Sequence, residues 1–204
     1  MTEHSDGHGA SAHLAQPRYT IRTKFFRIFG GAYHIYGPQG ELLLYSHMKR
    51  FRLKEDIRLH SDPSRSKELL RITTRSIFDI AGAYDVQDSI IGERVGTLKR
   101  EPISSTFLRD HWTIHDAAGT QVGEVVEDSM AKALVRRFFD LASFLLPQRY
   151  HAEIGGRRAG VFKQRFNPII FKLDVDLTAD PEAALDRRLA VAMGVLLSAI
   201  EGRQ

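Results

Sequence analysis

The stretch that most constrains this chain is its uncharged end, Leu189 to Ile200, which reads LAVAMGVLLSAI with Ser198 as its one hydroxyl. Just upstream, Asp180 is suited to cap a helix, Pro181 fits the first helical position, and Glu182 suits the positive end of the helix dipole. No breaker follows until Gly202, so the pattern predicts a helix from Pro181 to Glu201. At about 100° per residue, Leu189, Met193, Leu196, Leu197 and Ile200 cover one side of it and Val191 and Val195 the other. Ala190, Gly194 and Ser198 form a narrow small-residue stripe between them. A helix apolar all round lies inside a core or inside a membrane. The uncharged run is shorter than the roughly 18–20 residues of a membrane span, and Asp186, Arg187 and Arg188 stand directly before it. It reads as a buried core helix with no transmembrane span, so the rest of the chain has to supply a wall around it.

The wall is legible as a repeat. Tyr33-His-Ile35-Tyr36 leads through Gly37-Pro38-Gln39-Gly40 to Leu42-Leu43-Leu44-Tyr45. The same sequence of aromatic, spacer, aliphatic, Gly-containing turn and second β-rich run begins at Tyr84, Trp112 and Tyr150. A looser member runs from Ile57-Arg-Leu59 through Asp62-Pro63-Ser64 to Leu69 and Thr73. Alternation around Gly-rich turns is the signature of hairpins, and its recurrence marks one supersecondary unit used several times. Five hairpins, with Tyr19 to Ile28 in front and Ile169 to Leu177 behind, predict about twelve strands. A sheet that long curls, and closing it removes both exposed edges. The expectation is a closed antiparallel barrel filled by the terminal helix, with the domain spanning 18–204. Residues 1–17, small, polar and dotted with His4, His8 and His13, are expected to form a disordered tail. One segment departs from the β pattern. Ser129 to Leu146 places Ala131, Leu134, Val135, Phe138, Ala142 and Leu145 at helical spacing before Pro147, which predicts an amphipathic helix over about 129–146. Its expected place is across the outside or an open end of the barrel; an interfacial membrane helix is the other reading.

Composition bounds the chemistry. The 204 residues suit one domain, and a hydrophobic content of 43% is enough for a sizeable core. With no cysteine there is no disulfide, thiolate nucleophile or sulfur metal site, and the first thirty residues hold no apolar run of signal-peptide length. Both fit a cytoplasmic protein. The net charge of +4 is a mild bias toward anionic partners. No nucleophile elbow, His-Glu-x-x-His, Walker loop or dinucleotide fingerprint occurs, so an enzyme is not expected, nor a cofactor. Asp110-His111 and His115-Asp116 are sequence neighbours, but adjacent strand residues point to opposite faces. The one acidic cluster is Asp174, Asp176, Asp180 and Glu182. A calcium loop would need Gly where Ala179 stands and a bidentate Glu where Leu185 stands, so no metal site is expected from it. The basic residues are more informative. Lys49, Arg50, Arg52 and Lys54 surround Phe51 and Leu53, and Arg22, Lys24 and Arg27 surround Phe25, Phe26 and Phe29. Cations beside aromatics suit an anionic bilayer surface; a strand exposing alternate residues makes the same mixture.

From Tyr19 to Gln204 the chain resembles the LURP-one-related and phospholipid scramblase proteins of the tubby-like fold, and among them the short bacterial members. The resemblance rests on Phe166-Asn167-Pro168 followed by Phe171-Lys-Leu-Asp174-Val-Asp176, then Leu185-Asp186-Arg187-Arg188-Leu189 and the apolar end. The YTIRTKFF opening, the Gly-x-x-Val-Gly hairpins and the approach from Ser105 to Trp112 add to it. It implies a twelve-stranded barrel wrapped on a central helix. It also implies lipid-related roles: calcium-linked scrambling, phosphoinositide binding or defence responses. The resulting expectation is a non-enzymatic protein, cytoplasmic and peripheral at the membrane, that binds anionic phospholipid through Lys49, Arg50, Arg52 and Lys54. A nucleic-acid-binding or protein-interaction module using the same basic surface is the alternative.

Overall fold

The computed structural model describes residues 10, 14–26, 30–48, 56–74, 82–101, 111–128, 147–165 and 170–201. The strands are β1 (Arg18–Phe26), β2 (Gly30–Tyr36), β3 (Leu42–Met48), β4 (Ile57–His60), β5 (Glu68–Thr74) and β6 (Ala83–Asp88), then β7 (Glu93–Arg100), β8 (His111–Asp116), β9 (Gln121–Glu127), β10 (Arg149–Ile154), β11 (Arg157–Arg165) and β12 (Phe171–Asp176). Each pairs antiparallel with its chain neighbours, and β1 closes the barrel on β12 through six pairs from Arg18↔Asp176 to Thr23↔Phe171. One helix, α1 (Arg187–Glu201), fills the interior. At about 1.5 Å per residue its 15 residues span about 22 Å, enough to run the height of strands of six to nine residues that tilt in a barrel. The helix expected over 129–146 lies outside the described residues.

The repeat read in the sequence is the repeat of the structure. Its aromatic and aliphatic positions point inward, so Tyr33 and Ile35, Tyr84 and Val86, Trp112 and Ile114, and Tyr150 and Ala152 are all buried. Every hairpin also carries a register shift beside its turn, with the extra residue in the second strand, at Leu43, Leu69, Val95, Val122 and Ala159. An extra residue there bends and twists the strand, which is what closure demands. The turns need a left-handed residue; Gly40, Gly92 and Gly119 supply it in three hairpins, and Arg65 (φ 61°) takes that conformation in the looser unit. Outward positions are polar, among them Arg22, Arg58, Arg71, Asp85, Lys163 and Lys172. Apolar in and polar out is the reverse of a membrane-spanning barrel.

Inside, Leu189, Ala190, Val191, Met193, Val195, Leu196 and Leu197 are all buried. Ser198, fully buried, donates back to the Gly194 carbonyl at 2.7 Å, so its hydroxyl is satisfied within the helix. At Gly194 the wall comes close. A Cβ there would meet Ile21 Cδ1 at 2.5 Å and Val175 Cγ2 at 3.2 Å. The small-residue stripe therefore faces β1 and β12.

The start of the helix differs from the expectation. It begins at Arg187, not Pro181, because Ala183 takes a left-handed φ of 54° that no continuing helix permits. The cap is Asp186, whose side chain accepts from the Arg188 amide at 2.8 Å and whose carbonyl accepts from Ala190 N at 3.0 Å. Asp180 instead organises the preceding loop, accepting from Ala184 N at 2.9 Å and Leu185 N at 3.0 Å. Of the expected tail, Ala10 and Leu14–Pro17 are described, and they pack as part of the domain. Ala10 and Leu14 are fully buried, Tyr19 Oη donates to the Leu14 carbonyl, and Leu177 N donates to Pro17 O at 2.8 Å. These apolar residues are isolated in a polar stretch, so no periodicity announced them.

Candidate functional site

Strand direction sorts the connections into two ends. The five hairpin turns, the loop 177–186 and the base of α1 share one, called the lower end. Six connections share the other: 27–29, 49–56, 75–82, 101–110, 128–148 and 166–170. Lys49, Arg50, Arg52 and Lys54 belong to the stretch joining the top of β3 to the top of β4, and they lie outside the described residues. The two sets of connections differ sharply in composition. The upper ones contain eight of the chain's 12 phenylalanines (Phe29, Phe51, Phe78, Phe107, Phe138, Phe139, Phe144 and Phe166), and the lower ones contain no aromatic residue. By charge the upper connections hold ten Lys and Arg against seven Asp and Glu, and the lower ones hold two against five.

Close to β3, the described surface carries a cluster that reading along the chain missed. Arg22 on β1 places its guanidinium carbon 4.6 Å from the centre of the Tyr36 ring on β2. His34 stacks beside Tyr36 at 6.2 Å and meets Tyr45 of β3 edge-on at 5.1 Å. These residues are scattered from 22 to 45 in sequence and become neighbours only when the β1–β2 and β2–β3 registers are laid side by side. Register inferred from the hairpin turns was the one signal that could have found them.

The acidic cluster is dispersed among arginines. Asp174 receives Arg165 and, at 3.0 Å, the Thr20 hydroxyl, while the Asp174 carboxylate raises the Arg165 guanidinium above its ordinary pKa. Asp176 takes Arg18 at 3.1 Å and Thr178 at 2.6 Å. Burial pushes the Asp176 carboxyl up, but the Thr178 and Arg18 bonds outweigh it and the net shift is downward. Asp180 is paired with Arg187 at 3.1 Å. No three His, Asp or Glu side chains converge as a metal set among the described residues. Of the His–Asp neighbours, His115 bonds Thr113 and the Gly119 carbonyl, each at 3.1 Å, and Asp116 accepts the Thr120 amide at 2.8 Å. The two therefore serve a strand and its turn separately. Asp110 lies outside the described residues.

No helix among the described residues is long and apolar enough to cross a membrane. Neither a family model nor a curated protein matches the chain.

Proposed function

We propose that this protein is a non-enzymatic, scramblase-like and tubby-like barrel that docks peripherally on anionic phospholipid from the cytoplasmic side. The observation that carries the reading is the asymmetry of the two ends. The connections that join strand ends on one side of the barrel carry eight phenylalanines and an excess of cations, and those that join the other ends carry no aromatic residue. Phenylalanine beside Lys and Arg is the composition of a surface that rests in the headgroup region: rings enter the boundary while cations stay at the phosphates. Within that end, Lys49, Arg50, Arg52 and Lys54 supply the densest run of charge, and each cation near an anionic surface contributes about 1 kcal/mol. The resemblance to the scramblase-like proteins points the same way.

Co-sedimentation with vesicles containing about 30% phosphatidylserine at low salt tests this, against neutral vesicles of the same size. Binding should appear on the anionic vesicles and fade with added salt. Lys49→Glu with Arg50→Glu replaces two attractions by two repulsions, about 4 kcal/mol in all, which is close to a thousandfold in affinity. Equal binding by parent and double variant would remove these residues from the contact. If the parent ignores anionic vesicles at low salt, the reading is wrong.

A further inference from the structure

Several outward cations on β4 to β9 are matched, although Lys99 on β7 has no carboxylate partner among the described residues. Arg71 and Arg58 reach Glu68 at 2.9 and 3.6 Å, Arg94 reaches Asp85 at 3.3 Å, and His111 reaches Glu124 at 2.9 Å. From β10 to β1, Arg18 pairs with Asp176, Arg165 with Asp174 and His151 with Asp128, whereas the outward Arg149, Lys163, Lys172 and Arg22 have no carboxylate partner among the described residues. Register turns these four into a band. Arg149 lies opposite Lys163, Lys172 opposite Arg22, and Arg22 opposite His34, which in turn faces Tyr45. The carboxylate within it, Asp174, is already engaged by Arg165. At the β1–β3 end the band closes on the Tyr36, His34 and Tyr45 rings, all partly exposed.

Shape then separates the partners such a band can take. It crosses β10, β11, β12, β1, β2 and β3, six of the twelve strands, and so bends around nearly half the circumference. With strands about 4.8 Å apart it is about 24 Å long. A flat bilayer meets a convex wall along a narrow arc and cannot engage the cations of β10 to β1 and the rings of β2 and β3 together. A flexible polyanion can wrap them. Cations without a carboxylate partner would accept any polyanion, whereas partly exposed rings at one end, where Arg22 already stacks on Tyr36, favour a chain whose units stack. We infer that this wall binds single-stranded nucleic acid, with phosphates along Arg149, Lys163, Lys172 and Arg22 and bases on Tyr36, His34 and Tyr45. Arg149, Lys163 and Lys172 lie within two residues of the upper ends of their strands, so the band borders the surface of the membrane reading and the test must read both ligands.

The test is fluorescence anisotropy with a labelled oligothymidylate of about 12 nucleotides, within the ~4–16 that a small β-domain covers. The full chain should bind at about 50 mM salt and weaken toward about 200 mM, with a log–log slope near −3 for four phosphate contacts. Arg22→Gln with Lys172→Gln should flatten that slope by about 1.4. Tyr36→Ala or Tyr45→Ala should weaken binding by about fivefold or more while leaving the slope alone. Anionic-vesicle binding should be unchanged in the tyrosine variants. Thermal melts check folding; if the Arg22/Lys172 pair fails to fold, Arg149→Gln with Lys163→Gln poses the same slope test on β10 and β11. Absence of oligonucleotide binding at about 50 mM salt overturns the inference. So does a parent-like affinity in both tyrosine variants with polyphosphate competing as well as the oligonucleotide, which would make the band a strip for any polyanion. Loss of vesicle binding with oligonucleotide binding retained would assign the wall to the membrane instead.

Discussion

The two ends of the barrel solve opposite problems. At the lower end, charge is used to hold the fold together. The first turn of α1 carries Arg187 and Arg188, the wrong sign for the positive end of a helix dipole. Carboxylates offset both. Arg187 meets Asp180, and Arg188 meets Asp186 at 2.6 Å and Asp88 at 2.9 Å. Asp186 first and then Asp88 hold the Arg188 guanidinium well above its ordinary range, against burial that works to lower it. Asp88 is fully buried and also accepts from Ala10 N at 2.8 Å and Ile90 N at 3.0 Å. One carboxylate thus joins the strand wall, the helix and the chain ahead of β1. The upper connections are longer, rich in phenylalanine, and hold three more cations than anions. Charge matched inside a protein stabilises it; an excess of cations in a set of connections is what an anionic partner would need.

This contrast can be broken most severely by removing α1. Burial of Leu189, Val191, Met193, Val195, Leu196 and Leu197 at about 1.5–3 kcal/mol each is roughly 9–18 kcal/mol, an upper bound that still rivals the net stability of a domain, about 5–15 kcal/mol. A chain stopped after Asp180 should show no cooperative melt, and a cooperative one would make the helix an appendage. Next in size is Asp88→Ala. It takes one of two carboxylates from Arg188, which keeps Asp186, and leaves two amides without their acceptor, so a loss of about 2–3 kcal/mol is expected in denaturant unfolding. A loss under about 1 kcal/mol would mean that the lower end is not pinned there.

Alkaline pH tests the same end more gently. Burial pushes the Tyr19 hydroxyl up to about 12, so the folded state favours the protonated, neutral ring. The contribution is therefore complete below the ordinary value of 10.0 and is lost as pH rises through about 12, a fall of about 2–3 kcal/mol. Tyr19→Phe should remove that slope while weakening the protein at neutral pH, because the bonds to Leu14 O and Gln16 N go with the hydroxyl. Midway up the barrel, Gly194→Leu should cost on the order of 1–3 kcal/mol by overpacking against Ile21 and Val175. Gly194→Ala should be milder, since the better helix propensity of Ala, about 1 kcal/mol, offsets a clash with the far end of one side chain. The smallest stability effect belongs to the upper end. Lys49→Glu with Arg50→Glu should move the melt by no more than about 0.5 kcal/mol while abolishing anionic-vesicle binding. A large destabilisation there would place these two side chains in the fold instead of the contact.

Much of this architecture was readable before any coordinates. Strand number, hairpin units and closure followed from Tyr33, Tyr84, Trp112 and Tyr150 recurring before Gly-rich turns, because a period of two with fixed punctuation is a local property. The buried helix followed from twelve uncharged residues that no amphipathic surface can explain. Its start did not: Asp180 and Pro181 make a sound helix opening, and the loop won because Arg187, Ala184 N and Leu185 N all converge on Asp180 in three dimensions. Ala10 and Leu14 were unreadable for a related reason, since single apolar residues acquire meaning only from the cavity they fill. Of the candidate contacts, the basic run at Lys49 to Lys54 was visible because it is contiguous. The Arg22–Tyr36–His34–Tyr45 cluster was not, because it runs across strands. Periodicity along a chain determines which face of a strand is buried; only register and closure decide which outward residues of different strands meet. Which outward cations of the described wall meet a carboxylate therefore belongs to the tertiary structure alone.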